Sequence, residues 1–300
     1  MRSGRRGSVR VLITGAGGQL GLDLLDVFED AVGLTRDDLD VSDEPAVRRA
    51  VEDIGPDLVV NAAAVTDVDG CEADPDRAHA VNALGPWWLA RACRDTGAAL
   101  VTVSTDYVFD GTSPGGRGYV ETDLTRPLSA YGRSKLAGEH LVRDTLPAHY
   151  VVRTAWLFGA RGGNFVRTML RVGRERGAAR VVDDQIGSPT STRDLAGAIR
   201  EIAVSGRFGT YHRTNGGRCS RLELAAAVFE LAGIEVDLQP MGSGELERPA
   251  PRPPFSVLDN RHAELAGLRR LPDWRDALTR MLDELGELAP PTGQPTAEGT

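Results

Sequence analysis

The segment YGRSK, residues 131 to 135, holds the single lysine of a 300-residue chain; every other one of its 35 basic residues is an arginine. Tyr131 and Lys135 stand four apart, so on a helix both side chains project from one face and can act on one ligand. A phenol is a poor proton donor at neutral pH, with an ordinary pKa of about 10, unless a nearby cation favours the phenolate. A lysine ammonium supplies that field compactly, where a planar guanidinium needs more room and different acceptors. With five tyrosines in 300 residues, a lysine placed at random lands at this spacing about once in sixty. Upstream, VTVSTDYVFDG brings Ser104, Thr105, Asp106 and Tyr107 into one short run, and the Thr105 hydroxyl is suited to grip a carbonyl oxygen.

These residues need a frame. Short apolar β-rich runs, VRVLIT, AVGLT, DLVVNAAA, ALVTVST and HYVVRTAW, alternate with amphipathic helical stretches through the first half. That alternation predicts an α/β fold, a doubly wound parallel Rossmann-like sheet covered on both faces. Thr105 then ends the fourth strand, at the sheet edge where ligands bind in open α/β sheets. After about Gly159 the rhythm becomes irregular, which predicts a smaller C-terminal α+β substrate domain. The expected division is a flexible leader over 1–8, a dinucleotide-binding domain over 9–158, a mainly substrate-binding unit over 159–289 and a disordered tail over 290–300. Segments near 180–206 and 256–268 are expected to return to the first domain.

The turn ITGAGGQLG places Gly15, Gly18 and Gly21 directly after the first strand and at the start of a helix. Glycines there let the backbone approach a pyrophosphate, and the helix N-terminus at Gln19 and Leu20 offers amide donors. The second strand ends at LTR, where a cofactor's adenosine ribose lies in this fold. An acid there would favour NAD, whereas Arg36 can pair with a 2′-phosphate, so NADPH is the expected cofactor and NADH the alternative; a solvated surface arginine is the plainer reading of Arg36. Lys135 would then hold the nicotinamide ribose beside the Tyr131 phenol.

Composition narrows the classes further. A net charge of −8 with acids and bases interspersed argues against nucleic acid as partner. No apolar run approaches a membrane span, and the N-terminus shows no signal-peptide core. Cys71, Cys93 and Cys219 are far apart and form no metal-binding spacing, which fits a reducing cytoplasm. The five histidines are scattered and are given no role.

Together these blocks resemble the extended short-chain dehydrogenase/reductases, and more narrowly the dTDP-4-dehydrorhamnose reductase family. The resemblance runs from TGAGGQLG through NAAAVTDVDGCE, VNALG, STDYVFDG, YGRSKLAGE and RTAWLFG to DQIGSPTSTRDLA and RPPFSVLDN. It implies an oxidoreductase of nucleotide-sugar (carbohydrate) biosynthesis that reduces the C4 ketone of a dTDP-6-deoxy-4-keto sugar, completing dTDP-L-rhamnose. By it Thr105, Tyr131 and Lys135 are the catalytic triad. The implied cofactor contacts are Gly15, Gly18, Gln19, Leu20, Gly21, Arg36, Asp40, Val41, Asn61, Ala62, Ala63, Asn82 and Ser104, with Tyr131 and Lys135. The implied substrate contacts are Val65, Thr66, Thr105, Asp106, Tyr131, Trp156 and Arg252, the last at the nucleotide diphosphate. Some relatives form magnesium-bridged dimers through a glutamate of the first helix; here Asp23 stands near that position and no metal is expected. A monomer or homodimer is expected.

Two other readings remain open at this point. One is reduction of a related dTDP-keto sugar in antibiotic biosynthesis. The other is a non-catalytic nucleotide-binding subunit resembling the regulatory subunit of methionine adenosyltransferase.

Overall fold

The computed structural model describes residues 9–112 and 114–290. The expected leader over 1–8, and all but the first residue of the expected tail, lie outside the described residues. In the first half, strands β1 (Val11–Thr14), β2 (Val32–Leu34), β3 (Leu58–Asn61), β4 (Ala99–Thr105) and β5 (His149–Thr154) alternate with helices α1 (Gln19–Val27), α2 (Glu44–Ile54), α3 (Val68–Ala73), α4 (Pro75–His79), α5 (Gly85–Thr96) and α6 (Ala130–Thr145). The second half adds β6 (Leu157–Phe158), α7 (Phe165–Arg176), β7 (Ala178–Val182), β8 (Ile186–Gly187), β9 (Thr190–Ser191), α8 (Thr192–Ser205), β10 (Gly209–His212), β11 (Cys219–Ser220), α9 (Arg221–Ala232), β12 (Asp237–Met241), α10 (Arg261–Leu265) and α11 (Trp274–Glu284).

Six strands form one parallel sheet in the order β10-β5-β4-β3-β1-β2. Alternate residues of each strand face opposite layers, as the two-residue period of a strand demands. Ile13, Val60, Val101 and Val152 pack on α1 and α8 through Leu24, Leu195 and Ile199. Leu12, Val59 and Leu100 pack on α2, α5 and α6 through Val51, Leu89 and Val142. With both faces covered, the strands carry the continuous apolar runs seen in the sequence.

One strand differs from the sequence expectation. Gly209–His212 lies in the irregular half of the chain, yet it pairs along β5 as the sixth strand, Tyr211 opposite Val152. Four residues with a two-residue apolar face carry too weak a pattern to reveal which sheet they join. A separate core joins α7, α9 and α11 through Phe158, Val166, Leu170, Val228, Leu278 and Leu282. The short strand pairs β7–β12, β8–β11 and β6–β9 lie in this half.

In the register of the sheet Thr14 is opposite Asn61, and Thr105 is opposite Thr154. The C-terminal ends of β1, β3, β4 and β5 are thus brought to a common edge. The chain leaves β1 toward β2 on one side and returns to β3 on the other, which opens a crevice above β1 and β3.

Candidate active site

Gly15 follows β1 with φ +71°, and a Cβ on it would sit 2.6 Å from the Ala63 amide nitrogen and 2.7 Å from the Ala62 carbonyl carbon. Only glycine permits both that conformation and that approach. The turn leads to Gly18, the N-cap of α1, where no side chain caps the first helical amides. Those amides and the helix dipole suit a diphosphate. From this turn a cavity of about 450 Å³ runs along Thr35, Arg36, Asp40, Val41, Ala63, Val65 and Arg77. Asp40 also takes hydrogen bonds from the Ser42 amide and hydroxyl at 2.9 and 2.7 Å, which with the nearby Arg36 and Arg77 hold its carboxyl below its ordinary value. A second cavity of about 460 Å³ begins at the same turn and continues over Thr66, Ser104, Thr105, Asp106, Tyr131, Lys135 and Trp156. Gly18, Ala62 and Ala64 line both, so the two cavities meet at the glycine turn. An elongated ligand with a diphosphate in its middle fits this shape, and the donor set matches a dinucleotide.

Tyr131 and Lys135 lie on α6, whose N-terminus is capped by Ser129 accepting from the Gly132 amide at 3.2 Å. A Cβ on Gly132 would sit 2.2 Å from the Tyr107 carbonyl oxygen, so the glycine of YGRSK is what lets α6 close on the turn after β4. That contact brings Tyr131 beside Thr105 and edge-on to the Tyr107 ring, 5.5 Å between centroids. Burial pushes the Tyr131 phenol well above its ordinary pKa, against the opposing hydrogen bond of Thr105. This reverses the sequence expectation of a phenol made acidic by its lysine. Lys135 instead donates its Nζ to the Val103 carbonyl at 2.7 Å. Burial lowers Lys135 to about 8, with Glu139 acting in the opposite sense. At neutral pH the phenol therefore keeps its proton and the amine keeps its charge.

Thr105 donates to Asp106 Oδ1 at 3.0 Å and accepts from the Tyr107 amide at 3.2 Å. Asp106 is buried, and burial raises it to about 6 against the hydrogen bonds of Ser256 and Thr105 and the charge of Arg221. Beyond it stands Trp156, the one non-glycine among the described residues with positive φ, at 46°. Backbone strain of this kind persists where the surroundings over-determine it, often at ligand sites. The Arg221 guanidinium lies 3.5 Å from the centroid of the Trp156 ring and 5.2 Å from that of Phe165. Arg221, Phe165 and Tyr107 also line an adjoining cavity of about 450 Å³ that holds Arg180, Arg248 and Arg252. Arg252 is fastened to Asp69 by two bonds of 2.7 Å, and this pairing holds Asp69 down at about 2.

Of the residues expected at the site, the structure brings together Gly15, Gly18, Gln19, Leu20, Gly21, Ala62, Ala63, Val65, Thr66, Ser104, Thr105, Asp106, Tyr131, Lys135 and Trp156 around the two joined cavities. Arg36, Asp40 and Val41 line the outer end of one, and Arg252 the adjoining basic cavity. Asn61 and Asn82 line none of these. Asn61 lies under the turn, accepting from Thr14 Oγ1 at 2.7 Å and the Ala63 amide at 3.2 Å and donating to Thr102 at 3.3 Å. Asn82, in the π-helical turn Ala80–Leu84, holds the Val65 amide and carbonyl at 2.9 and 3.0 Å and donates to Ser134 at 3.1 Å. Both asparagines shape the ligand-facing loop from behind. Arg221 and Phe165 escaped the sequence reading; Arg221 opens a helix more than sixty residues beyond RTAW, and nothing local in the sequence distinguishes it from 33 other arginines. Asp23 and Asp26 of α1 are both paired with Arg161, so this chain's own guanidinium offsets one of the two carboxylate charges at that helix face.

The model of the RmlD substrate binding domain family matches residues 9–287. A dTDP-4-dehydrorhamnose reductase of Mycolicibacterium smegmatis is 46% identical over 279 residues, covering 90% of this chain and 84% of that protein. A dTDP-4-keto-6-deoxy-D-glucose reductase of Streptomyces niveus is 42% identical over 277 residues, covering 90% and 96%. The crystal structure of dTDP-4-dehydrorhamnose reductase from Bacillus anthracis in complex with NADP superposes with a TM-score of 0.90 at 39% identity, covering 93% of this chain and 100% of that one. A parallel sheet with its glycine turn at the switch point, a Thr-Tyr-Lys group on one cavity wall and these matches over nine-tenths of the chain lead to one conclusion: the chain belongs to the dTDP-4-dehydrorhamnose reductase family.

Proposed function

We propose that this protein is an NADPH-dependent reductase acting on the C4 ketone of a dTDP-6-deoxy-4-keto sugar, with dTDP-4-dehydro-L-rhamnose as substrate and dTDP-L-rhamnose as product. The observation that carries it is the half-buried Tyr131 phenol, its pKa pushed up by desolvation, beside Thr105 in a cavity continuous with the glycine turn. The nicotinamide, when bound, supplies the hydride. Tyr131 gives its proton to the carbonyl oxygen as charge develops there, and the Thr105 hydroxyl donates a hydrogen bond to the same atom. Lys135, charged at neutral pH, holds cofactor hydroxyls and restores the field when the phenol has lost its proton. Trp156 and Asp106 bound the sugar, while Arg221 and Arg252 lie where a nucleotide diphosphate would enter. Gly15, Gly18, Gln19, Leu20 and Gly21 take the cofactor diphosphate, and Arg36 its 2′-phosphate; Asn61 and Asn82 act by holding the loop between them.

The sheet and its helices make the cofactor-binding unit in this reading, and the α7–α9–α11 unit closes over the sugar. Among the described residues no helix is long and apolar enough to cross a membrane. The free, buried Cys71, Cys93 and Cys219 fit a reducing cytoplasm, where the protein would work as a monomer or homodimer.

The Streptomyces niveus relative, nearly as similar as the mycobacterial one, favours a second reading: a 4-keto sugar of a specialised product as substrate. Incubation with NADPH and dTDP-4-dehydro-L-rhamnose, followed at the nicotinamide absorbance band, tests the first reading, with NMR of the product ring to fix the C4 configuration. Absence of turnover with that sugar, with turnover of dTDP-4-keto-6-deoxy-D-glucose, would transfer the assignment to the second.

A further inference from the structure

One helical turn beyond Lys135 on α6 stands Glu139, 1% exposed. Its Oε1 accepts from Ser104 Oγ at 2.5 Å and from Arg153 Nε at 2.9 Å, and its Oε2 from Arg153 Nη2 at 2.7 Å. Arg153 comes from β5 and is itself 2% exposed. On its far side it approaches His212 Nε2 at 3.5 Å, while His212 Nδ1 lies 3.0 and 3.1 Å from the carbonyl oxygens of Tyr119 and Asp259. Two acceptors at Nδ1 put the proton there, and burial together with Arg153 takes His212 down to about 3, so this imidazole is neutral and carries no charge into the row. The bare charges are therefore Lys135, Glu139 and Arg153, two cations around one anion.

A buried ion pair is a weak source of stability by itself, since desolvation offsets most of the attraction. This one has a particular place. Ser104, which bonds Glu139, is the residue after Val103, whose carbonyl receives the Lys135 ammonium. We propose that Glu139 is a positioning residue of the reduction: clamped by Ser104 and Arg153, its carboxylate keeps Lys135 an ammonium and holds the β4 edge at the height that Lys135 grips. The inference rests on the reductase reading for its meaning in catalysis, but not for its measurement.

The groups that set the charge of Lys135 against burial are Glu139 on its own helix and, more weakly, Cys71 from α3. Arg153 faces it from β5 through Glu139, and Tyr131 and Asp106 are the remaining ionisable groups of the site wall. Removing the Glu139 charge therefore lowers the pKa of Lys135, so the ammonium is lost at lower pH than in the wild type.

Because Lys135 is the only lysine, ¹³Cε-lysine labelling reports its titration without a sugar or turnover. Three variants are compared with the wild type: Glu139→Gln, Glu139→Asp, and the charge-balanced pair Glu139→Gln with Arg153→Met, which leaves no uncompensated guanidinium. The expected result is a downward shift of roughly one pH unit or more in the Lys135 titration for both Gln-containing proteins, larger in the single variant, with the Asp variant near the wild type. The alkaline limb of kcat/KM with NADPH should move down by the same amount. A folded double variant with the wild-type Lys135 titration overturns the proposal, as does failure of both neutralised forms to fold, which would make the pair purely structural. A shifted titration without any turnover in the wild type would leave Glu139's effect standing and refute the reductase reading instead.

Discussion

The Arg221 guanidinium carbon lies over the Trp156 ring, 3.5 Å from its centroid, and among the described residues no carboxylate lies within ion-pair distance of it. A cation held by an aromatic face, in ion-pair contact with no carboxylate and lining two adjoining cavities, is placed to receive an anion. The strained backbone of Trp156 and the capping box of Ser220 and Glu223, which starts α9 at Arg221, fix the two partners from opposite sides. Arg221→Met should keep the fold and raise KM for the dTDP-sugar by ~10–100-fold, the effect of losing a charge-assisted contact of about 1.5–3 kcal/mol, while NADPH affinity stays within about twofold. Steady-state kinetics and cofactor titration check it; an unchanged KM would remove Arg221 from the substrate site.

Tyr131→Phe removes the phenol hydroxyl beside Thr105 without removing the ring that packs on Tyr107. Cofactor binding should be nearly unchanged while kcat falls ~10²–10⁴-fold. Single-turnover rates measured with saturating NADPH separate this from a binding defect, and wild-type turnover in the Phe protein would refute the assignment.

Arg36 and Arg77 both line the outer end of the cofactor cavity, with Asp40 between their fields. Arg36→Ala should lower the NADPH-to-NADH ratio of kcat/KM about tenfold or more, since only the 2′-phosphate distinguishes the two cofactors. Equal losses with both cofactors would show that Arg36 does not read that phosphate.

Asp106 has a folded-state value of about 6 against 3.8 for the free side chain. The folded protein thus holds a proton that the unfolded chain releases, and this contribution is complete below pH ~4 and lost as pH rises through 6. The two-unit difference corresponds to about 3 kcal/mol, so Asp106→Asn should be more stable than the wild type at pH 7.5 by up to that amount and no more stable at pH 4. Its kcat/KM should fall. Thermal melts across pH 4–7.5 test this, and parallel curves for the two proteins would refute it.

The sequence alone determined the parallel α/β frame, because buried strands and crossover helices write their periods into neighbouring residues. It also determined the glycine turn and the Tyr131–Lys135 pair, whose spacing is itself the signal. Where chemistry depends on residues far apart in the chain, only the tertiary structure decided. The burial that keeps the Tyr131 proton, the Glu139–Arg153 pair behind Lys135 and the seat of Arg221 on Trp156 each join separate elements. The same holds for Asn61 and Asn82, whose side-chain hydrogen bonds turn them inward behind the ligand-facing loop. Desolvation and long-range charge are properties of the packed interior, and a one-dimensional pattern carries no record of how deep a side chain lies.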